Sequence, residues 1–134
     1  MQISKVILVC VLCGVVGNTF AEYTTISCKY DEPKIKFISE VEFDDRYPNQ
    51  LAVNGRDLPY SDENGSYKLV IFNTSTIAWI REVKGDTYRM SNFFEINRKT
   101  GRITYTFKSY SSYDGSRDER VHRGTCTKMA NNEF

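Results

Sequence analysis

The sequence predicts an all-β fold, a mostly antiparallel β-barrel or β-sandwich of about seven or eight strands. Short segments of the chain alternate apolar and polar side chains with the period of two that is typical of half-buried strands. Beyond residue 21 the chain is rich in Tyr, Phe, Thr, Ile and Val, which suit a pleated surface. No window of twelve or more residues combines a clean 3.6-residue period with helix caps. We therefore expect at most one short helix, near residues 44–51.

Each strand prediction rests on a local pattern. Residues 34–43 place four apolar side chains on one face and charged side chains on most of the other. Residues 67–72 are apolar on both faces, which predicts a central strand. The Asn-Gly pair at residues 54–55 predicts a tight turn. The longer predicted strands cover residues 23–30, 34–43, 67–72, 77–83, 88–96, 103–108 and 119–128, and the short segments 51–53 and 58–60 flank the predicted turn.

Three basic residues surround Gly101, and they raise the question of a phosphate site. A phosphate-binding loop needs several glycines and a following helix. Here one glycine lies between two strand patterns, and Gly101 is free to adopt a positive φ. The pattern therefore predicts a turn at residues 97–101, with Arg98, Lys99 and Arg102 solvated at its tip.

The N-terminus is typical of a secretory signal peptide. Lys5 precedes an apolar run at residues 6–16, and a small-x-small sequence ends at Ala21. The run is short for a membrane span, which takes about 20 residues. We expect cleavage after Ala21, which leaves residues 22–134 as a single β-rich domain in the periplasm or outside the cell. An uncleaved anchor is the alternative.

Cleavage also changes the charge balance. It removes one of the 18 Lys and Arg residues and none of the 17 Asp and Glu residues, so the mature chain is close to neutral. Nucleic-acid binders usually carry a basic excess, because phosphate neutralisation supplies much of their affinity. We therefore expect no nucleic-acid partner and no membrane association after cleavage. The oligomeric state does not follow from the sequence.

The cysteine count predicts one disulfide. Cys10 and Cys13 leave with the signal peptide, so Cys28 and Cys126 remain near the two ends of the mature chain. In an oxidising compartment such a pair is expected to be bonded, which would join the first predicted strand to the last and make them neighbours in the sheet. The alternative is a metal-binding pair, but His122 is the sole histidine and zinc takes three or four protein ligands. The sequence therefore predicts neither a metal nor another cofactor.

Candidate catalytic groups are few. Glu40 and Glu42 lie two residues apart on one strand, about 7 Å from each other, a separation compatible with glycoside hydrolysis. An acidic solvent-facing strand explains the same pattern with fewer assumptions. His122 has no G-x-S-x-G sequence to pair with in a serine-hydrolase arrangement. We predict that the protein is not an enzyme, with a small cell-wall hydrolase as an alternative.

The most informative loop prediction covers residues 109–120. The segment is polar, contains glycine, and combines Tyr, Ser and Arg, a composition that suits protein contacts. An ordinary flexible hairpin loop is the alternative. The candidate partner-binding residues are Tyr110, Tyr113, Asp114, Arg117 and Arg120.

The turn Ile-Asn-Arg-Lys-Thr-Gly at residues 96–101 and the closing Gly-Thr-Cys at residues 124–126 add a resemblance. Together with the signal peptide, they resemble uncharacterised small secreted or periplasmic β-rich proteins of Gram-negative bacteria and their prophages. The resemblance implies a periplasmic β domain with a disulfide between its N- and C-terminal parts. It implies no activity.

These observations favour a secreted or periplasmic non-enzymatic binding protein, such as an inhibitor, an immunity protein or an exclusion factor. Its partner would be a protein of the cell envelope or the extracellular space. A structural or stress-related envelope protein without a tight partner is the second hypothesis.

Overall fold

A computed structural model describes residues 23–129, and all its regular structure is antiparallel β-sheet. The predicted signal peptide, residues 1–21, lies outside the described residues. One sheet has the strand order β4-β3-β2-β1-β10-β9-β8-β7-β6-β5. The strands are β1 (Tyr23–Tyr30), β2 (Ser39–Asp44), β3 (Leu51–Val53), β4 (Arg56–Asp57), β5 (Tyr60–Asp62), β6 (Gly65–Phe72), β7 (Thr76–Lys84), β8 (Tyr88–Asn97), β9 (Arg102–Ser111) and β10 (Arg117–Lys128).

The sheet curls into a nearly closed barrel. Its two edge strands, β4 and β5, are joined by only Leu58 and Pro59, so the first and last strands of the order meet. Arg56 on β4 donates a hydrogen bond to the Asp62 carboxylate on β5 over 2.7 Å. Joining the edges in this way leaves only short strand edges open, which limits unwanted edge-to-edge pairing.

The terminal strands are neighbours, as predicted. β1 and β10 pair antiparallel, and Cys28 lies directly opposite Cys126. The two residues form a disulfide across a sequence separation of 98 residues. Gly124 lies on the same strand pair, where an added Cβ would meet the Lys29 carbonyl oxygen at 2.1 Å. Close approach of the two backbones therefore requires glycine at this position.

The core is built from cross-strand rows of inward-facing side chains. One row consists of Ile77, Ile96 and Ile103, all at most 1% exposed, and ends at Gly124. The next row is aromatic: Trp79 stacks on Phe94 at 5.0 Å between ring centres, and Phe94 stacks on Tyr105 at 4.8 Å. The stacked row continues to His122 on β10. The other buried core residues are Cys28, Tyr30, Val41, Phe43, Leu51, Val53 and Leu58.

The structure confirms the all-β antiparallel class and corrects the strand count to ten. The two hairpin strands beside the 54–55 turn are very short, and residues 60–62 form a separate edge strand. Asn54 and Gly55 have positive φ values of 51° and 84°, as an Asn-Gly hairpin turn requires. No helix forms at residues 44–51, where Tyr47 and Gln50 donate backbone hydrogen bonds within successive turns.

Two strand predictions need correction in detail. The strand predicted at residues 34–43 begins only at Ser39, because residues 31–38 leave the sheet. Residues 67–72 belong to β6, which lies next to an edge strand and is not central. A β-bulge between Leu69 and Ile71 shifts the register there. Val70 is consequently 48% exposed, although residues 69–72 are all apolar.

The turn at residues 97–101 is confirmed, but Arg98 is not solvated at its tip. Its side chain is only 18% exposed and makes a two-point ion pair with Asp45 at 2.9 and 3.0 Å. The guanidinium also covers the rings of Phe43 and Phe72 and donates a hydrogen bond to the Asn73 carbonyl. Arg98 therefore fastens three turns together at one end of the barrel.

Candidate functional site

A row of basic residues crosses the outer face of the barrel. Lys84 on β7 is directly opposite Arg89 on β8, and Arg89 is opposite Tyr110 on β9. Tyr110 in turn is opposite Arg117 on β10. We call these four residues the basic row. Strand alternation places them on the face opposite Trp79 and the stacked core rings.

The electrostatics of the basic row are unfavourable for the isolated protein. Like charges directly opposite each other in an antiparallel pair are destabilising, and Lys84 and Arg89 form such a pair. The Tyr110 ring lies between two guanidiniums, 5.9 Å from that of Arg89 and 4.6 Å from that of Arg117. Cation–π contact with the ring offsets part of the repulsion. An anion bound beside the ring would offset more of it.

The basic row forms one wall of a groove of about 450 Å³. Among the described residues that line it, four are cationic and one, Glu82, is anionic; Glu82 itself pairs with Lys68 at 3.8 Å. The lining consists of Glu82, Val83, Lys84, Arg89, Met90, Ser91, Lys108, Ser109, Tyr110 and Arg117. The groove is therefore a cationic surface that can accept carboxylate or other oxyanion groups.

Two connected hairpins hold the basic row in place. In the β7–β8 turn, Gly85 donates a backbone hydrogen bond to the Tyr88 carbonyl over 2.8 Å. In the β9–β10 turn, Ser112 donates a backbone hydrogen bond to the Thr87 carbonyl over 2.8 Å. Because each turn is tied to the other, the strand ends that carry the four side chains keep a fixed spacing.

Comparison with protein families, with characterised proteins and with solved structures found no match for this chain.

The predicted loop at residues 109–120 is much shorter in the structure. β9 extends to Ser111 and β10 begins at Arg117, so only residues 112–116 form the connection. The sequence does not reveal these strand ends, because polar Ser, Tyr and Arg residues occupy both faces there and no apolar alternation marks the strands. The predicted contact segment consequently lies mainly on two paired strands, with a short turn between them.

The five predicted partner-binding residues fall into three places. Tyr110 and Arg117 lie in the groove. Tyr113 is 87% exposed in the turn, and the Asp114 carboxylate accepts a hydrogen bond from the Ser116 backbone N–H over 2.9 Å. That hydrogen bond is the main cause of the lowered pKa of Asp114. Arg120 lies on the opposite face of β10, where it pairs with Asp118 at 2.9 Å.

A second polar cluster lies on the inner face. Arg81 donates a hydrogen bond to the Asn92 side-chain oxygen over 2.7 Å, and the Asn92 amide donates to the Tyr105 hydroxyl over 2.8 Å. Burial raises the pKa of Tyr105. Arg81 also donates to the Asn64 carbonyl. Since Asn92 is 3% exposed and bonded on both sides of its amide, the cluster serves the packing of the sheet.

The candidate catalytic groups do not share a site. Glu40 and Glu42 are on the outer face of β2, where the Glu40 backbone N–H donates to the Asn54 side chain. His122 is on the inner side of β10, between the Tyr105 ring and the Glu32 carboxylate. None of these three residues lines the groove.

Within residues 23–129, no group of three or more His, Cys, Asp and Glu side chains is arranged to hold a metal ion. Across the same residues, no helix is long and apolar enough to cross a membrane.

Sequence reasoning missed three of the cationic residues in the groove, Lys84, Arg89 and Lys108. Gly85 and Asp86 signal a turn between two strand patterns, but the pairing of Lys84 with Arg89 depends on the four-residue connection 85–88, whose length the pattern does not fix. Placing Tyr110 beside them required the β8–β9 register, which the turn at residues 97–101 fixes from the other end of the hairpin.

Proposed function

We propose that this protein is a secreted or periplasmic, non-enzymatic binding protein whose contact surface is the outer face of β7–β10. The observation that carries the proposal is the basic row, in which Tyr110 lies between two arginines beside a groove of about 450 Å³. Arginine and tyrosine are the residues most enriched at the energetic centres of protein interfaces. The function is that of an inhibitor, immunity protein or exclusion factor, which acts by occupying its partner.

The same face carries an apolar row that favours a protein partner. Ile80, Phe93 and Val121 lie in cross-strand register with Thr106, on the face opposite the core. Val121 is 40% exposed, and the other two are partly exposed. Lys84 is four residues beyond Ile80 along β7, so the apolar row and the basic row are about 13 Å apart. One partner surface can therefore meet both.

The disulfide supports the proposed location. A bonded Cys28–Cys126 pair is consistent with an oxidising compartment, which the periplasm and the extracellular space provide. We infer that residues 1–21 direct export. The test is the intact mass of the secreted protein, which should equal that of a chain beginning at Glu22.

The test of the proposed function is a quantitative affinity capture with matched baits. The full-length sequence is expressed through an oxidising secretory route, and the purified product is exposed to cell-envelope and secreted protein extracts. The test bait carries Arg89→Ala and Arg117→Ala. Two control baits carry Arg120→Ala, on the other face of β10, and Arg123→Ala, on the same face but about 20 Å along the strand from Arg117.

The proposal predicts one stoichiometric protein captured by the wild type and by both control baits, and reduced several-fold on the test bait. Capture that is equal on all four baits would show that the partner uses another surface. Failure of the wild type to capture any stoichiometric partner would contradict a binding function and would favour a structural role in the cell envelope.

A further inference from the structure

We infer that the basic row recognises an extended acidic peptide segment of its partner, with two carboxylates placed two residues apart. The inference rests on the proposed function and specifies the chemistry that the groove accepts.

The two arginines span a distance that alternate side chains of an extended peptide can reach. Arg89 and Arg117 are two strands apart, so their backbone positions are separated by about 10 Å. Both guanidiniums turn toward the Tyr110 ring between them. Alternate side chains of an extended peptide are about 7 Å apart on one face. Two Asp or Glu side chains at that spacing can each direct a carboxylate to one guanidinium, which offers a fork of donors for it.

The shape of the site favours an extended segment. The groove volume of about 450 Å³ holds a few residues of peptide, and all the described residues that line it lie on the paired strands β7–β10. Tyr110 offers a flat ring at the centre, against which the aliphatic part of a Glu side chain can pack. Lys108, one register row away on the same face, adds a cation for a third acidic group.

The surrounding charges disfavour a long polyanion. In the neighbouring register row, Glu82 and Glu119 lie on the outer face at either side of Ser91 and Lys108. Asp86 lies in the exposed β7–β8 turn at the other side. The basic row is therefore a stripe only one row wide, about 14 Å long over three strand spacings. A nucleic acid or a sulfated glycan would extend beyond it into negative potential.

The inference is tested with synthetic probes and the full secreted protein. The acidic probe is a fluorescein-labelled ten-residue peptide with Glu at alternate positions, separated by Thr, and the neutral probe has Gln in place of each Glu. A ten-nucleotide single-stranded DNA and a sulfated oligosaccharide represent the other polyanions. Binding is measured by fluorescence anisotropy at 50 and 300 mM salt, with wild type, Arg89→Ala, Arg117→Ala and Arg120→Ala proteins.

We expect the Glu peptide to bind the wild type at least tenfold more tightly than the Gln peptide. Arg89→Ala and Arg117→Ala should each weaken that binding by three- to tenfold, Arg120→Ala should leave it unchanged, and higher salt should weaken it. Equal binding of the Glu and Gln peptides would overturn the inference. So would binding of the Glu peptide that is insensitive to Arg89→Ala and Arg117→Ala. Tighter binding of the DNA or the sulfated oligosaccharide through these arginines would also overturn it, in favour of a polyanion site.

Failure of this inference can be told apart from failure of the proposed function. If capture of a partner depends on the basic row but the Glu peptide does not bind there, the function stands and the acidic-segment inference is wrong. If the Glu peptide binds the basic row but no partner is captured, the site accepts acidic segments as inferred and the proposed binding function is wrong.

Discussion

The guanidinium of Arg117 lies 4.6 Å from the centre of the Tyr110 ring, on the outer face of two adjacent strands. The contact holds a charged group in a defined position without pairing it to a carboxylate of the groove. A preorganised cation loses less conformational freedom on binding than a free side chain does, so this arrangement suits recognition. Partner binding through the basic row is expected to depend on this pair and on Arg89 at the other side of the ring.

The ring of Tyr110, and not its hydroxyl, is expected to support binding. Tyr110→Ala removes the surface that both guanidiniums face, and we expect partner capture to fall three- to tenfold. Tyr110→Phe keeps the ring and should bind within twofold of the wild type. Both variants should retain the wild-type melting temperature within a few degrees. Quantitative capture and thermal unfolding measure these outcomes, and equal losses in both variants would assign the role to the hydroxyl.

Reduction of the Cys28–Cys126 disulfide is expected to destabilise the fold. The bond closes a loop across a sequence separation of 98 residues, and it joins the first and last of the described strands. Its loss should lower the free energy of unfolding by about 2–4 kcal/mol. Urea unfolding with and without reductant measures the change. A Cys28→Ala/Cys126→Ala protein is the control, since it should show the lower stability and no response to reductant.

Arg98 is expected to be a stability residue and not a binding residue. It is paired with Asp45 and covers two buried or partly buried rings at one end of the barrel. Arg98→Met should lower the free energy of unfolding by about 1–2 kcal/mol, because it leaves Asp45 and the Asn73 carbonyl without their donor. Lys99→Met, at the neighbouring exposed position, is the matched control and should change stability little. Equal effects of the two substitutions would show that the Arg98 contacts contribute nothing specific.

We expect the protein to lose stability at high pH because Tyr30 is buried. Burial raises its pKa from 10.0 to about 12, and the Ser39 hydroxyl lies 3.4 Å from the Tyr30 hydroxyl. The folded state therefore holds the phenolic proton more tightly than the unfolded chain does. The resulting stabilisation is complete below pH 10 and is lost as the pH rises from about 10 to 12.

The corresponding measurement is urea unfolding of the wild type and Tyr30→Phe between pH 8 and pH 12. The wild type should lose up to roughly 2–3 kcal/mol more than the variant over the upper part of that range. Tyr105, whose pKa is also raised by burial, is present in both proteins, so the difference isolates Tyr30. Parallel pH profiles would contradict the assignment.

Local pattern was sufficient for the fold class, for the adjacency of the terminal strands and for the turn at residues 97–101. These features depend on side-chain periodicity, on two cysteines and on the conformational freedom of Gly101, which has φ of 76°. β6 could not be placed in the same way. Its bulge lets Leu69 and Phe72, three residues apart, pair with the inward-facing Trp79 and Ile77, and no alternating pattern reveals this.

The site was predicted only in part, and for a related reason. Tyr110 and Arg117 were candidates because of their composition, whereas Lys84 and Arg89 become their neighbours only through the pairing of four strands. Arg98 was expected to be solvated. Its contacts with Asp45 and Phe43 join segments that are more than 50 residues apart in sequence, so local pattern could not reveal them. Such contacts depend on closure of the barrel, which periodicity does not encode.

Site-specific photo-crosslinking in the native compartment tests most directly whether the basic row is the contact surface for a partner protein. Benzoylphenylalanine replaces Tyr110 in one protein and Tyr47, which is 51% exposed in the turn between β2 and β3, in another. If the partner binds at the basic row, we expect a discrete crosslinked protein adduct from position 110 and none from position 47. The same adduct from both positions, or from position 47 alone, would contradict the assignment of the basic row as the contact surface.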